Sequence, residues 1–598
     1  MRLPLLSGLV TLIVLCGCQT QPDIDAISRP NVLLVLTDDM GWGDVAANGN
    51  PNIQTPTIDH LMNNGVTFDR FYVSPVCSPT RASLLTGRHS LATGVYSVTR
   101  GGEKMFPSEV TIAEIFKGAG YRTGLFGKWH NGLQYPYDPN GQGFEEFYGF
   151  ADGHITDYFD GEVQHNQSTE NFTGYLPDRL TDKTLEFIQE SDSPFFAMLS
   201  FNTPHSPFEL PQALFDQYKL IGLDNVDASV FGMVENIDTN LQRLLNQLDR
   251  RGALDNTLVV FLSDNGPAFP GGNSRYNGDM KGSKGKVDEG GVRVPFAIYW
   301  QGHLRSGYRV TTPGQHIDLL PTLLTLTGLK STQPNNIHGV DLSPAIKGEN
   351  VAALNKRPLF THHFRNTRRP EQQAVQASPG AIRQEGWLAT TDHQQRWQLY
   401  NLATDPQQKV NLAEKNPEKL NDLKNQYLQW YQDTRLNEYR ALPIPVGHAG
   451  IPYTMFPAHE AEITREGVEY HFQDGWAHDW VESVSQQPGQ IRWPLEVVKA
   501  GRYTLTLGYD TPQKKYSGEV TLSIGKQKIV LRDFAPFKSK ERMGKRLAHT
   551  SEAPTKSWGK HAKTLHLAKG RYDLTLDFAS DPQNRSLAIK YIEIGTQQ

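Results

Sequence analysis

The sequence predicts an α/β protein built on a mixed, largely parallel sheet flanked by helices, with a small antiparallel subdomain and an appended β-sandwich behind it. Three observations carry this. Asn31 to Thr37 and Thr257 to Leu262 read as continuous apolar runs, the pattern of strands buried on both faces. Each ends in oxygen-bearing side chains, Asp38-Asp39 after the first and Ser263-Asp264-Asn265-Gly266 after the second, and the C-terminal edge of such a sheet is where ligands bind. Beyond Pro452 the pattern changes to alternation. There Lys499 to Leu507 recurs in near copy as Lys569 to Leu576, with Tyr and Leu on alternate positions, as half-buried antiparallel strands require.

At 598 residues the chain is long enough for two or three domains and for a sizeable core. It opens on Arg2 and an apolar run from Leu3 to Leu15, too short to span a bilayer and read as a signal peptide. Leu15-Cys16-Gly17-Cys18 resembles a bacterial lipobox, so residues 1–18 are expected to be a lipoprotein signal and Cys18 the lipidated residue. An ordinary signal peptide that happens to contain cysteines is the alternative; either way the chain is exported. Gln19 in place of Asp favours, by resemblance to lipoprotein sorting rules, the outer membrane, with the periplasm as the other location. Of three cysteines two lie in the signal region, so Cys77 has no partner for an internal disulfide. A formal net charge of −5 is small for this length and argues against a nucleic-acid partner or a general polyanion-binding surface.

A lone buried cysteine usually behaves as a small hydrophobe. Cys77, however, precedes Ser78-Pro79, which reads as a helix start with Pro at the first helical position, and Gly87 reads as its stop. Residue 77 then stands at the positive end of a helix, where a nucleophile's charge or a bound anion is favoured. Two adjacent aspartates, Asp38 and Asp39, raise each other's pKa unless a cation intervenes. With Asp264 and Asn265 they form four hard oxygen-bearing side chains suited to Ca2+ or Mg2+. Tyr121 to Phe126 reads as a strand running into Gly127-Lys128-Trp129-His130; Lys128 and His130, two apart on an extended segment, face the same side. Phe195 to Phe201 leads into Asn202 to Pro207, with His205 between two prolines in a rigid loop. Met280 to Pro295 carries Lys281, Lys284, Lys286 and Glu289-Gly290-Gly291, whose glycines allow close backbone approach to a ligand.

Cys77-Ser78-Pro79-Thr80-Arg81, continued by Leu84-Leu85-Thr86-Gly87-Arg88, closely resembles the signature of type I sulfatases, and the other motifs follow in that family's order from about Asn31 to about Arg435. The resemblance implies an alkaline-phosphatase-like fold and a sulfuric ester hydrolase. It implies that a formylglycine-generating enzyme oxidises Cys77 to formylglycine, which hydrates so that one hydroxyl attacks sulfur. It further implies one Ca2+ beside residue 77 on Asp38, Asp39, Asp264 and Asn265, with Asp264 assisting activation. Lys128, His205 and Lys284 would neutralise the sulfuryl oxygens, each such donor being typically worth about 2.7 to 4 kcal/mol. His205, with Lys284, would protonate the leaving oxygen, His130 would take the proton of the second hydroxyl, and Arg81 would orient the diol. The family keeps its sulfate-binding lysine five residues before Glu-Gly-Gly, which selects Lys284 over Lys281 and Lys286; Lys281 stands where many members have arginine.

His316-Ile317-Asp318 leads into a helix ending near Gly328, and strand patterns near Ala381 to Thr391 and Trp397 to Tyr400 precede an amphipathic helix over Pro417 to Trp430, resembling the family's smaller antiparallel subdomain. The expected boundaries are 29–350 for the main catalytic unit, 351–440 for this subdomain and 453–598 for the sandwich. In the sandwich a hairpin is expected over Val520 to Leu531 and a last strand over Ser586 to Ile594. The sandwich is similar to carbohydrate-binding modules; Trp476, Trp480, Trp493 and Trp558 are candidates for sugar stacking and for its core alike. Two loops are candidates for specificity: Gly153 to Tyr158, and Arg365, Arg368 and Arg369 with Arg383, arginines able to pair bidentately with a second sulfate or a uronate. The expected function is desulfation of oligosaccharides of a sulfated algal polysaccharide such as ulvan or carrageenan, with Arg365 and Arg368 binding substrate. The alternatives are an arylsulfatase of small molecules, a phosphodiesterase or phosphonate hydrolase of the same fold, and an unconverted sugar-binding lipoprotein.

Overall fold

The computed structural model describes residues 29–596 apart from 270–274, 331–335, 350, 364–375, 473–474, 512–515, 538, 543 and 549–554. The signal region with Cys18, and Arg365, Arg368 and Arg369, lie outside the described residues.

A ten-stranded mixed sheet forms the centre. Four of its strands, Thr257–Ser263, Asn31–Thr37, Phe195–Ser200 and Arg122–Lys128, lie side by side and parallel. Successive side chains of Asn31–Thr37 enter opposite cores, Leu33 and Val35 one and Val32, Leu34 and Leu36 the other, which is why the run carries no polar alternation. The helices Pro56–Asn64, Leu176–Gln189 and Asn225–Arg250 cover the first face. Cys77–Thr86, Ile112–Gly118 and Leu319–Leu326 cover the second.

Register brings the strand ends together. Thr37 faces Ser263, while Leu36 and Gly127 both face Ser200. Asp38-Asp39, Asp264-Asn265, the loop to His205 and Lys128 therefore leave the sheet in one row. The strand expected over Tyr121 to Phe126 runs over Arg122–Lys128, so Lys128 is its last residue. The helix expected to begin at Pro79 begins at Cys77, after the extended Val76, and puts proline in its third position; Gly87 ends it at φ 66°, a left-handed conformation that glycine adopts without a Cβ penalty.

A four-stranded antiparallel sheet, Leu359–His362, Gly380–Gln384, Trp387–Thr391 and Trp397–Asn401, follows. Its Ile382, Ala389 and Leu399 pack on Leu423 and Tyr427 of the helix Pro417–Thr434. Two six-stranded sheets then enclose one apolar core. The near-copies Gly501–Asp510 and Gly570–Phe578 lie in opposite sheets, and each pairs with the strand that precedes the other copy, Gly559–Leu567 and Gly489–Val497 respectively. The sandwich is seated on the catalytic body: Lys104 Nζ meets Glu460 at 2.7 Å, Gln134 donates to the same carboxylate at 2.9 Å, and Tyr137 donates to the Pro443 carbonyl at 2.8 Å.

Candidate active site

Cys77 opens a helix whose residues are buried throughout. Arg81, one turn on, ties that helix to three strand ends. Its Nε and Nη2 donate to Asp264 Oδ2 at 3.0 and 2.8 Å, and its Nη1 donates to the Lys128 carbonyl at 2.9 Å and to Ser200 Oγ at 2.7 Å. Arg81 and Asp264 have no solvent exposure at all. Arg81 thus holds the nucleophile's helix in place through the strand ends; Ser200, which also donates to the Lys128 carbonyl at 2.7 Å, is a partner that no motif in the sequence flags.

The two aspartates are each met by a cation. Lys128 Nζ lies 2.8 Å from Asp38 Oδ2, Lys284 Nζ 2.6 Å from Asp39 Oδ1, and His205 Nε2 3.7 Å from Asp39 Oδ2. Burial pushes the Asp39 carboxyl up, but Lys284, His205 and the Asn265 amide outweigh it and hold it well below the usual range. Asp38 is likewise raised by burial and lowered further by Lys128 and His205. Burial, then the neighbouring Asp38, pushes Asp264 up to about 6 against the pull of Arg81. Burial raises the Cys77 thiol to about 11, against Lys128 and Lys284, so the unmodified thiol is protonated near neutral pH and a weak nucleophile.

The ligating atoms of Asp38, Asp39 and Cys77 lie within 4.8 Å of one another. Asp38 Oδ1 and Asn265 Oδ1 are buried without a hydrogen-bond partner. Unpaired buried acceptors of this kind are costly unless something satisfies them, and hard oxygens suit Ca2+ or Mg2+ where a thiol does not; the donor set fits such an ion. Asp264 stands apart from the three-residue cluster: its Oδ1 accepts from the Asp39 N–H at 3.2 Å and its Oδ2 from Arg81. Asn265 donates to Asp39 Oδ1 at 2.8 Å.

His130 departs from the alternation argument. The strand has ended at Lys128, and His130 sits at φ 66°, so the two side chains do not share a strand face. Its Nε2 lies 2.9 Å from the Val98 carbonyl, which can only accept; the proton is therefore on Nε2, and Nδ1, buried and without a partner, carries the lone pair. Burial, then Lys128, keeps the ring well below the usual histidine range and neutral. His205 Nδ1 donates to the Ser206 carbonyl at 2.6 Å, leaving Nε2 on the Asp39 side. Of the three lysines before Glu289, Lys284 reaches Asp39 while Lys281 donates to Tyr400 at 2.8 Å and Gln398 at 2.9 Å, and Lys286 is exposed.

Arg383 does not join a solvent-facing arginine cluster. It is buried, donating to Glu289 Oε1 at 2.7 Å and the Val287 carbonyl at 2.8 Å, and so holds the Glu-Gly-Gly segment in place. The candidate loop Gly153 to Tyr158 does lie beside the site: the His154 and His205 rings are parallel within 12°, their centroids 6.2 Å apart. Trp480 and Trp493 are interior, and Trp476 is exposed. A cleft of about 1580 Å³ between the catalytic body and the sandwich, lined among others by Tyr96, Arg100, Glu460, Arg465 and Arg492, includes none of the residues around Cys77. Its Arg465 and Arg492 are paired with Asp577 and Glu462.

Residues 30–329 match the family model described as Sulfatase, and 283–433 match that of the N-sulphoglucosamine sulphohydrolase C-terminal region. N-acetylgalactosamine-6-sulfatase of Mus musculus is 32% identical over 370 residues, covering 55% of this chain and 68% of its own. Arylsulfatase A of Homo sapiens is 32% identical over 363 residues, covering 54% and 69%. Among solved structures, Ps i-CgsB in complex with k-i-k-neocarrahexaose superposes with a TM-score of 0.63 at 30% identity, over 69% of this chain and 95% of that one. With the first family model spanning half the sequence and the strand ends gathered around Cys77, the chain belongs to the type I sulfatase family and is a sulfuric ester hydrolase.

Proposed function

We propose that this enzyme removes sulfate from oligosaccharides of a sulfated algal polysaccharide, carrageenan first and ulvan second, with a formylglycine made from Cys77 and one Ca2+. The observation that carries the reading is the convergence of Lys128, Lys284 and His205 on the aspartate pair at the edge where the Cys77 helix begins. The carrageenan oligosaccharide in the Ps i-CgsB structure and the sugar sulfatase among the relatives support the substrate class. In place, the hydrated aldehyde supplies the oxygen nucleophile, and the cation, on Asp38, Asp39, Asp264 and Asn265, the Lewis acid.

The remaining work falls to side chains of this chain. Lys128 and Lys284 are fixed by their aspartates and meet the sulfuryl oxygens as preorganised donors. Because His205 Nδ1 is committed to the Ser206 carbonyl, the proton it gives the leaving oxygen sits on Nε2. His130 is neutral with a free Nδ1, the state in which it accepts a proton. Arg81 acts as a positioning residue for the Cys77 helix. A single acidic donor cluster among the described residues supports a sulfatase over a phosphodiesterase with more metal ligands. An arylsulfatase of small molecules is the second reading, favoured by the likeness to arylsulfatase A. The chain is proposed to be an exported lipoprotein anchored through Cys18, at the outer membrane or in the periplasm, matured by a formylglycine-generating enzyme.

Peptide mass analysis around Cys77, together with sulfate release from carrageenan and ulvan oligosaccharides, tests this. An aldehyde in place of the thiol and release from at least one of the two are expected. An unconverted thiol in active enzyme overturns the nucleophile, and release from aryl sulfates alone overturns the substrate.

A further inference from the structure

Two histidines of the site rest on short straps of the catalytic body, and the sandwich holds both straps. His130 donates to the Val98 carbonyl at 2.9 Å; the next residue, Thr99, donates its hydroxyl to the Gly475 carbonyl of the sandwich. His205 lies parallel to His154; His478 of the sandwich donates through Nε2 to the His154 carbonyl at 2.8 Å and sets its ring edge-on to that of His154, centroids 5.2 Å apart. The same strap is held twice more, by His459 Nε2 at 3.2 Å from Asp152 Oδ1 and by Thr555 Oγ1 at 2.6 Å from Thr156 Oγ1. The turn Gly475 to Trp480 therefore bridges from the His130 side of the site to the His205 side.

That turn is built rigidly. Gly475 and His478 both adopt φ 65°, and the Asp479 N–H closes on the Trp476 carbonyl at 2.9 Å. A left-handed non-glycine residue is uncommon and persists where its surroundings over-determine it. Here Lys590 does so, its ammonium donating to the His478 carbonyl and, at 3.4 Å, to that of Asp479. A Cβ at Gly475 would meet Arg100 Nε and the Tyr470 ring at 3.1 Å, so the backbone needs glycine there to lie this close.

Between the two anchors stands Trp476, 42% exposed and the only one of the ten tryptophans with more than about a third of its surface in solvent. A single exposed apolar side chain is ordinary by itself; what marks this one is its place on a turn fixed at both ends to straps of the site. An indole face suits the C–H face of a pyranose, with a polar rim for its hydroxyls.

We propose that the Gly475 to Trp480 turn of the sandwich forms one wall of the active-site cleft, and that Trp476 is the stacking surface for a pyranose ring on the leaving-group side of the sulfate ester. The side follows from the ester itself, whose sugar lies on the leaving oxygen, and His478 at the far end of the turn is tied to His154 beside His205, while Lys128 and Lys284 take the sulfuryl oxygens. The inference rests on the sugar-sulfate reading above. It makes the sandwich a part of the catalytic site, in place of a separate carbohydrate-binding module.

The test uses the full-length converted enzyme with a carrageenan hexasaccharide, an ulvan hexasaccharide and 4-nitrophenyl sulfate. In Trp476→Ala the KM for the hexasaccharide that the wild type turns over is expected to rise roughly five- to tenfold, with a smaller change in kcat. The ratio of kcat/KM for hexasaccharide over aryl sulfate is expected to fall by about the same factor, and Trp476→Phe to recover most of it. Adding that hexasaccharide to a Cys77→Ser variant is expected to shift tryptophan fluorescence, and the shift to be lost when Trp476→Phe is added. Wild-type turnover of a hexasaccharide with an unchanged ratio in Trp476→Ala, or a fluorescence shift that survives the loss of Trp476, overturns this proposal alone. Release of sulfate by the wild type from neither hexasaccharide overturns the parent reading and this one with it.

Discussion

Replacing Arg81 by methionine keeps most of its volume and removes its charge, and the structure says where the cost falls. The Lys128 carbonyl keeps the Ser200 hydroxyl as a donor at 2.7 Å, so it is not orphaned. Asp264 Oδ2, by contrast, loses both donors that Arg81 gives it and stands at zero exposure. Breaking a buried ion pair by removing one partner costs about 3–5 kcal/mol. Asp264 has a way to limit the loss, which is to take up a proton. Wild-type Asp264, at about 6 against an ordinary value of 3.8, already carries about 3 kcal/mol of that cost at pH 7, and a carboxyl held neutral carries about 4 kcal/mol, so the variant loses about 1 kcal/mol more at pH 7 and almost nothing more at pH 4.5, where both folded forms are protonated. The sign follows from a folded-state pKa raised above the unfolded one: stability is lost as pH rises from about 4 towards the folded value. Unfolding of Arg81→Met and wild type at pH 4.5 and 7, in chelator so that no cation compensates Asp264, should give a deficit that is larger at pH 7 than at pH 4.5 by about 1 kcal/mol. A deficit that is equal at the two pH values would refute the assignment of Arg81 as the cation that pulls Asp264 down against burial.

Cys77→Ser, expressed in a host whose converting enzyme recognises cysteine only, is expected to melt with the wild type and to show no turnover; residual activity in that variant would remove residue 77 from the chemistry. His205→Ala should slow substrates with poor leaving groups by about 10²–10⁴-fold and activated aryl sulfates far less, and equal losses on both would make His205 a sulfate ligand only. Glu103 is pushed to about 7 by burial and then by Glu460, against Lys104, from an ordinary value of 4.5. The folded form therefore holds a proton that the unfolded form gives up, so stability falls as pH rises from about 4.5 to about 7 and the cost is fully present above that. Glu103→Gln should flatten thermal stability across this window, whereas a pH profile superimposable on that of the wild type would clear Glu103.

The parts of the site that were legible in the sequence are those that chain geometry fixes locally. An apolar strand that ends abruptly in two aspartates must put them at a sheet edge, and a helix that opens at Cys77 must point its amide groups there. The family's spacing before Glu-Gly-Gly selects Lys284, and the structure brings it to Asp39. For His130 strand alternation lapses where the strand ends at Lys128; a contact more than thirty residues away, with Val98, fixes its ring. Arg383 reads as a specificity-loop arginine because nothing in its own segment reveals that Glu289, 94 residues earlier, claims it. The four sandwich tryptophans show the same limit: period-two alternation locates the strands but cannot separate an interior Trp493 from an exposed Trp476 in a turn.

What joins these cases is register. Side chains 226 residues apart, Asp39 and Asn265, touch only because Thr37 faces Ser263 across two parallel strands. A slip of one residue would send alternate side chains to the opposite face, taking Leu33 and Val35 out of the core that also holds Val234, Ile237 and Leu241 and moving Leu34 into it. The two cores either side of Asn31–Thr37 therefore enforce the register, and the register enforces the site. Burial acts against the charge on each of Asp38, Asp39 and Asp264; the neighbouring cations outweigh it at Asp38 and Asp39 but not at Asp264, which stays raised. The rest of the free energy that holds three acids at one edge comes from apolar residues, at about 25 cal/mol for each Å² removed from water. Arg81, Lys128 and Lys284 offset part of the repulsion, and the buried acceptors left over, Asp38 Oδ1 and Asn265 Oδ1, mark where a divalent cation has most to gain.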